Sequence, residues 1–203
     1  LVEEMNFLPN AELFFLSRKK LVRKSTTSLF EGKDVLLIGL NAAYSPTDTE
    51  MVKEYEAAYD TFIKDTEVDE IYFVCMNDPY VMDAWWKSMK IKKCKYLPDG
   101  NGALTLRIDN QGGMSGGMTV VEMYNRGMGK RTWRFALLLE DNCQMTYIEE
   151  ETPAGYENGR NNCDIVPYDL THPDQILEHL KKRNQVERIN AANTAGLDLS
   201  MPR

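Results

Sequence analysis

The run Ser45-Pro46-Thr47-Asp48 places a hydroxyl and a carboxylate at the head of a long amphipathic stretch. An apolar run, Val35-Leu36-Leu37-Ile38-Gly39-Leu40, leads into it through Asn41-Ala42-Ala43-Tyr44. Serine is a strong helix N-cap, because its oxygen accepts one of the unpaired N–H groups of the first turn. Proline suits the next position, where a missing N–H costs nothing. An acidic residue three after the cap makes a capping-box-like arrangement. Its charge is favoured there by the helix dipole, by about 0.3–1 kcal/mol. Asp48 is therefore explained as a capping residue, and equally as a fixed negative charge displayed at a loop.

The other groups able to do chemistry are four dispersed cysteines, Cys75, Cys94, Cys143 and Cys163, and two late histidines, His172 and His179. There is no Cys-x-x-Cys, so neither a zinc site nor a dithiol is indicated. Two histidines are too few for a His-based metal centre, and no cofactor is expected. Cys75 falls in a buried strand and reads as an inert core thiol. Cys94 lies in Lys92-Lys93-Cys94-Lys95, whose cations could lower its pKa, although an exposed strand residue is the simpler reading. Cys143 falls on a hairpin turn and Cys163 in the polar loop Asn161-Asn162-Cys163-Asp164.

Several elements must position these groups. Residues 11–24 read as a hairpin carrying a solvated basic face, Arg18, Lys19, Lys20, Arg23 and Lys24. Val35–Leu40 and Val68–Met76 are continuous apolar runs of the kind that form central parallel strands. Met51, Tyr55, Ala58, Tyr59 and Phe62 repeat at three and four, giving a helix over 46–65. A second helix covers 79–90, with Val81, Met82, Trp85 and Met89 on one face. Short strands are expected at 94–97 and 103–108, followed by a Gly/Met-rich flexible loop, 111–129. Residues 134–140 and 144–149 form an antiparallel pair, a helix spans 173–184, and 188–203 is a loose tail. This strand–helix–strand–helix order argues for an α/β fold with a parallel segment. We expect one domain over residues 1–187.

At 203 residues the chain can bury a core without disulfides or metals. A net charge of −7 argues against a nonspecific nucleic-acid binder, which needs a basic face. No apolar run reaches the length of a membrane span, and no signal-peptide pattern opens the chain. A cytoplasmic protein with reduced thiols is expected.

The loop around Asp48 resembles the active-site loop of the type II peroxiredoxins, whose pattern is Pro-Gly-Ala-Phe-Thr-Pro-Thr-Cys. Val74-Cys75-Met76-Asn77-Asp78-Pro79-Tyr80-Val81-Met82-Asp83-Ala84-Trp85 resembles the same group's stretch around Asn-Asp-Pro-Phe-Val-Met-x-Ala-Trp. Leu97-Pro98-Asp99-Gly100-Asn101-Gly102 is similar to its Asp-Gly-Asn-Gly turn, and Phe30-Glu31-Gly32-Lys33-Asp34-Val35 to the lead into its first long strand. Gly127 to Leu137 resembles the run carrying the family's active-site arginine, which places that role at Arg134. Each motif is moderately specific; together, in order over residues 7–183, they are strong.

The resemblance implies a thioredoxin-like fold, a central mixed sheet flanked by helices, in its peroxiredoxin variant with an N-terminal hairpin. It implies a thiol peroxidase reduced by thioredoxin or glutathione, and a homodimer whose edge includes Tyr44, Pro46 and Tyr80. The departures fall in the loop itself. Asn41 stands for the family's first Pro, Ala42 for its Gly, Ser45 for its Thr and Asp48 for its nucleophilic Cys. The usual His-Leu-Pro-Gly run is replaced by Met51-Val52-Lys53-Glu54. Several changes in one loop fit natural drift better than a single engineered substitution.

Asn41, Tyr44 and Pro46 are thus expected to line the pocket, with Ser45, Asp48 and Arg134 at the catalytic positions. Cys163 lies where some relatives carry a resolving cysteine. A carboxylate cannot run a sulfur redox cycle, so the expectation is a pseudo-enzyme with a binding or regulatory role. The alternative is an active peroxidase in cell redox homeostasis that uses another cysteine.

Overall fold

The structure is a computed structural model and describes residues 7–110, 119–141, 143–150 and 168–198. At its centre is β3 (Val35–Leu40), every residue of which is buried. Such a run has no polar face to offer solvent, so both sides must be covered. The hairpin β1 (Glu12–Ser17) and β2 (Lys20–Ser25) and the short helix α1 (Thr26–Phe30) precede it. Following it are α2 (Pro46–Asp65), β4 (Glu70–Cys75), α3 (Pro79–Met89) and β5 (Lys95–Pro98). Then come α4 (Thr105–Asn110), β6 (Val120–Met123), a 3-10 turn at Tyr124–Arg126, and β7 (Gly129–Thr132). Strands β8 (Phe135–Glu140) and β9 (Gln144–Glu150) and helix α5 (Pro173–Asp198) close the chain.

The main sheet has the order β5-β4-β3-β8-β9. β3, β4 and β5 run parallel, with Ile38 opposite Phe73 and Phe73 opposite Tyr96. β8 runs antiparallel to both β3 and β9. Strand alternation sends Leu36, Ile38 and Leu40 to one face, against Met51, Tyr55 and Phe62 of α2, Trp85 of α3 and Ile176 and Leu180 of α5. Val35 and Leu37 face the other side, against Phe30 of α1, Leu13 of the hairpin and Leu104 and Ile108. Each such large side chain contributes about 1.5–3 kcal/mol on burial. The result is a central mixed sheet flanked by helices, the thioredoxin-like α/β architecture with an N-terminal hairpin. Helix α2 has the expected bounds, 46–65, because cap, proline and apolar stripe agree.

Three expectations need correction. Residues 103–108 alternate like a strand, but 105–110 form α4, because the Asp99 carboxylate accepts the N–H groups of Leu104 (3.1 Å) and Thr105 (2.7 Å) and starts a helical turn. The supposed loop 111–129 is ordered over its described part: β6 pairs with β7, and Val120, Val121 and Met123 are buried. Residues 111–118 lie outside the described residues. Helix α5 runs to Asp198, so 188–198 is helical rather than loose. Its apolar stripe gives out beforehand, with Val186 and Ile189 exposed, which hides the extension from periodicity.

Candidate functional site

The site forms where the end of β3 meets the start of β8. Gly39 allows that meeting: a Cβ there would stand 2.3 Å from the Trp133 carbonyl and 2.6 Å from the Phe135 ring. Any side chain at 39 would push away the segment 133–135, which holds Arg134. Beyond β3 the chain turns through 41–45, closed by the Ser45 N–H donating to the Ala42 carbonyl at 3.2 Å. Tyr44 has φ 66°, a left-handed conformation unusual for a residue with a side chain. It orients Ser45 to cap α2.

Ser45 and Asp48 engage reciprocally. The Asp48 N–H donates to Ser45 Oγ at 3.1 Å, and the Ser45 hydroxyl donates to Asp48 Oδ2 at 2.7 Å. The Ala42 N–H donates to the same oxygen at 2.9 Å. Oδ1 accepts from Arg134 Nε, also at 2.9 Å. The two charged side chains are 0% and 1% exposed. Charge-assisted bonds of this length are among the strong ones, and the pair needs them, since burying two charges is costly. Next in the chain, Asn41 is 2% exposed, and among the described residues neither polar atom of its amide finds a partner.

The comparisons with known proteins agree with one another. The Redoxin family profile matches residues 6–160. Peroxiredoxin y4vD of Sinorhizobium fredii is 34% identical over 159 residues, covering 78% of this chain and 76% of that protein. A peroxiredoxin of Rhizobium etli is 35% identical, with coverages of 78% and 80%. Among solved structures, the Plasmodium falciparum antioxidant protein (1-Cys peroxiredoxin) superposes with a TM-score of 0.74 at 33% identity, covering 89% of this chain and 99% of that one. The chain belongs to the peroxiredoxin family.

Within this peroxiredoxin fold the remaining site residues divide clearly. Tyr44, Pro46 and Tyr80 are exposed. The Tyr44 ring lies 6.2 Å from that of Trp85. Three cysteines are described, all unbridged and buried. The Cys75 thiol donates to Asn77 Oδ1 at 3.1 Å; burial pushes its pKa far up, and the nearby charge of Asp48 adds to this. Cys94 is 3% exposed rather than on an open strand face. Burial and then Glu56 push its thiol far up, overriding the downward pull of Lys93. Cys143 sits on the hairpin turn as expected, with burial raising its pKa. Cys163 lies outside the described residues. No group of three or more His, Cys, Asp or Glu residues among the described residues could hold a metal ion. Nor is any described helix long and apolar enough to cross a membrane.

Three supporting groups escaped the sequence reading. Asn77 Oδ1 accepts the Ala43 N–H at 3.0 Å, tying the Asp48 loop to β4. Arg131 donates to the Met76 and Met128 carbonyls at 3.0 and 2.8 Å. Glu54 accepts from the Tyr168 hydroxyl at 2.6 Å and lies 3.2 Å from His172 Nε2, linking α2 to the start of α5. Asn77 stands inside a quoted motif. Arg131 and Glu54 also fall in quoted runs, but their contacts to Met76 and to Tyr168 and His172 join segments distant in sequence and leave no local signal.

Proposed function

We propose that this peroxiredoxin-family chain has lost thiol peroxidase activity, that Asp48 occupies the position of the nucleophilic cysteine, and that the protein serves a binding or regulatory role. The buried Asp48–Arg134 ion pair carries this reading. The family's chemistry begins with a thiolate attacking a peroxide oxygen and becoming a sulfenic acid that another thiol reduces. A carboxylate cannot enter that cycle. It can hold a negative charge beside the arginine, as a permanent counterpart of the thiolate or of an overoxidised sulfinate. Both Asp48 oxygens are engaged, so the charge is fixed in place.

The described thiols support the reading. A reactive cysteine needs thiolate character and access, and Cys75, Cys94 and Cys143 are buried with raised pKa values. A binding role draws on Asn41, since a buried amide without a partner, as this one is among the described residues, costs about 1–3 kcal/mol and calls for an explanation. A small polar guest at this site would supply one. The exposed Tyr44, Pro46 and Tyr80 are the proposed edge of a homodimer, and a cytoplasmic setting suits the unbridged thiols.

The test is peroxide consumption with thioredoxin or glutathione as reductant. The protein is expected to consume no more than the reductant alone, and Cys163→Ser is expected to change nothing. Turnover that Cys163→Ser abolishes would establish the alternative, a peroxidase working through a displaced cysteine.

A further inference from the structure

A cleft of about 480 Å3 opens between the hairpin and the outer edge of the main sheet. Its apolar walls include Phe15, Leu29, Tyr72, Trp86, Ile91 and Tyr96. The rings pack on one another, with centroids 6.3 Å apart for Phe15 and Tyr96 and 5.3 Å for Trp86 and Tyr96. None of Asn41, Ser45, Asp48 or Arg134 lines it, so it is separate from the ion-pair site. The volume falls within the range of small-molecule sites, which are concave and mostly apolar with a few placed polar groups.

Those polar groups are of one sign. Lys24, Lys92 and Lys95 line the cleft, and no acidic residue among the described residues does. The Lys24 ammonium stands 5.5 Å over the Phe15 ring and that of Lys95 5.4 Å over Tyr72. Lys95 is paired with Glu70, which Lys33 also holds at 3.1 Å. Asp83, beside the Tyr96 hydroxyl, is held by Lys87 at 2.6 Å. The Lys24 and Lys92 ammonium groups make no ion pair among the described residues, and the Glu56 carboxylate nearby is held by the N–H groups of Lys92 at 2.9 Å and Cys94 at 2.8 Å. In a chain of net charge −7, three lysines over an apolar floor are a local concentration of positive charge.

We propose that this cleft binds a small apolar monoanion: a flat or branched hydrocarbon body, seated on the aromatic floor, bearing one carboxylate that meets Lys24 and Lys92. The proposal stands whether or not Asp48 has replaced a catalytic group.

Calorimetric titration with 2-naphthoate, and separately with uncharged 2-naphthalenemethanol, tests it on the whole chain. One-to-one saturable binding of the naphthoate is expected, with the alcohol weaker by about tenfold or more, the usual worth of a charge-assisted contact. Lys24→Glu combined with Lys92→Glu should weaken naphthoate binding by at least as much while leaving the melting temperature in place, since both lysines are exposed. Absence of saturable binding, equal affinity for the alcohol, or binding indifferent to the charge reversal would overturn the proposal.

Discussion

Asp48 and Asp99 are both buried carboxylates just beyond the C-terminal ends of parallel strands, one after β3 and the other directly after β5. Each accepts backbone N–H donation and a hydroxyl: Asp48 takes the Ala42 N–H and the hydroxyl of Ser45, the cap of α2. Asp99 takes the N–H groups of Leu104 and Thr105 and the Thr105 hydroxyl, at 2.7–3.1 Å for the shortest contact of each. Here the resemblance stops. Asp99 meets no cation among the described residues, and burial pushes its carboxyl above the ordinary range although the hydrogen bonds oppose this. Asp48 faces a buried guanidinium. The N–H groups at Asp99 suffice to cap α4, so a carboxylate that only caps needs no arginine. The arginine at Asp48 is therefore surplus to capping, and this is what singles out the α2 terminus as the candidate site.

The contrast is broken most severely by removing the cation. Arg134→Met leaves a buried charge unpaired and should cost about 3–5 kcal/mol in urea unfolding. Adding Asp48→Asn, which removes the charge but keeps an acceptor for Ala42 and Ser45, should recover more than half of that loss. A double variant no better than the single would show that the pair is not coupled. Asp99→Ala should cost less, about 1–3 kcal/mol, from the N–H groups left unmet. Its effect should add to that of Arg134→Met, since Asp99 does not share the arginine; strong coupling would join the two regions into one site.

The smallest effect sharpens the electrostatic side. Asp34 is partly buried among like charges, and burial, then Glu140, Asp69, Asp141 and Glu67, push its carboxyl up from 3.8 to about 6. A raised pKa means the folded state binds the proton more tightly than the unfolded one. Asp34 therefore costs stability above pH 6, and the cost fades as pH falls from about 6 towards 4. Asp34→Asn should raise the melting temperature at pH 7 and flatten its pH dependence across that window. The gain should stay below about 1 kcal/mol, because the group is open to solvent screening. An unchanged pH profile would contradict this.

Much of this was legible in the sequence. Helix α2 could be read to the residue, because Ser45, Pro46 and the stripe from Met51 to Phe62 are local signals that agree. β3 could be read from its unbroken apolar run. Arg134 came from a matched motif, and the structure brings it onto Asp48 across 86 positions of chain. What stayed hidden depends on distant partners or on absent ones. α4 looked like a strand because its cap, Asp99, lies five and six residues ahead of the N–H groups it accepts. Cys94 looked exposed among lysines, yet Trp86 Nε1 donates to its carbonyl at 3.0 Å and Glu56 accepts its N–H at 2.8 Å, folding it inward. The Asn41 amide, unpartnered among the described residues, leaves no trace in the sequence, which shows a polar residue but not its surroundings.

The most direct measurement compares hydrogen peroxide loss by the protein and by Asp48→Cys, side by side, in a single turnover without reductant. A cysteine at 48 would have its thiolate favoured by the start of α2 and by Arg134. No loss is expected with the unaltered chain, and about one equivalent with Asp48→Cys. Peroxide consumption by the unaltered chain, or an inert Asp48→Cys, would contradict the claim that a fixed carboxylate stands where the family's thiolate reacts.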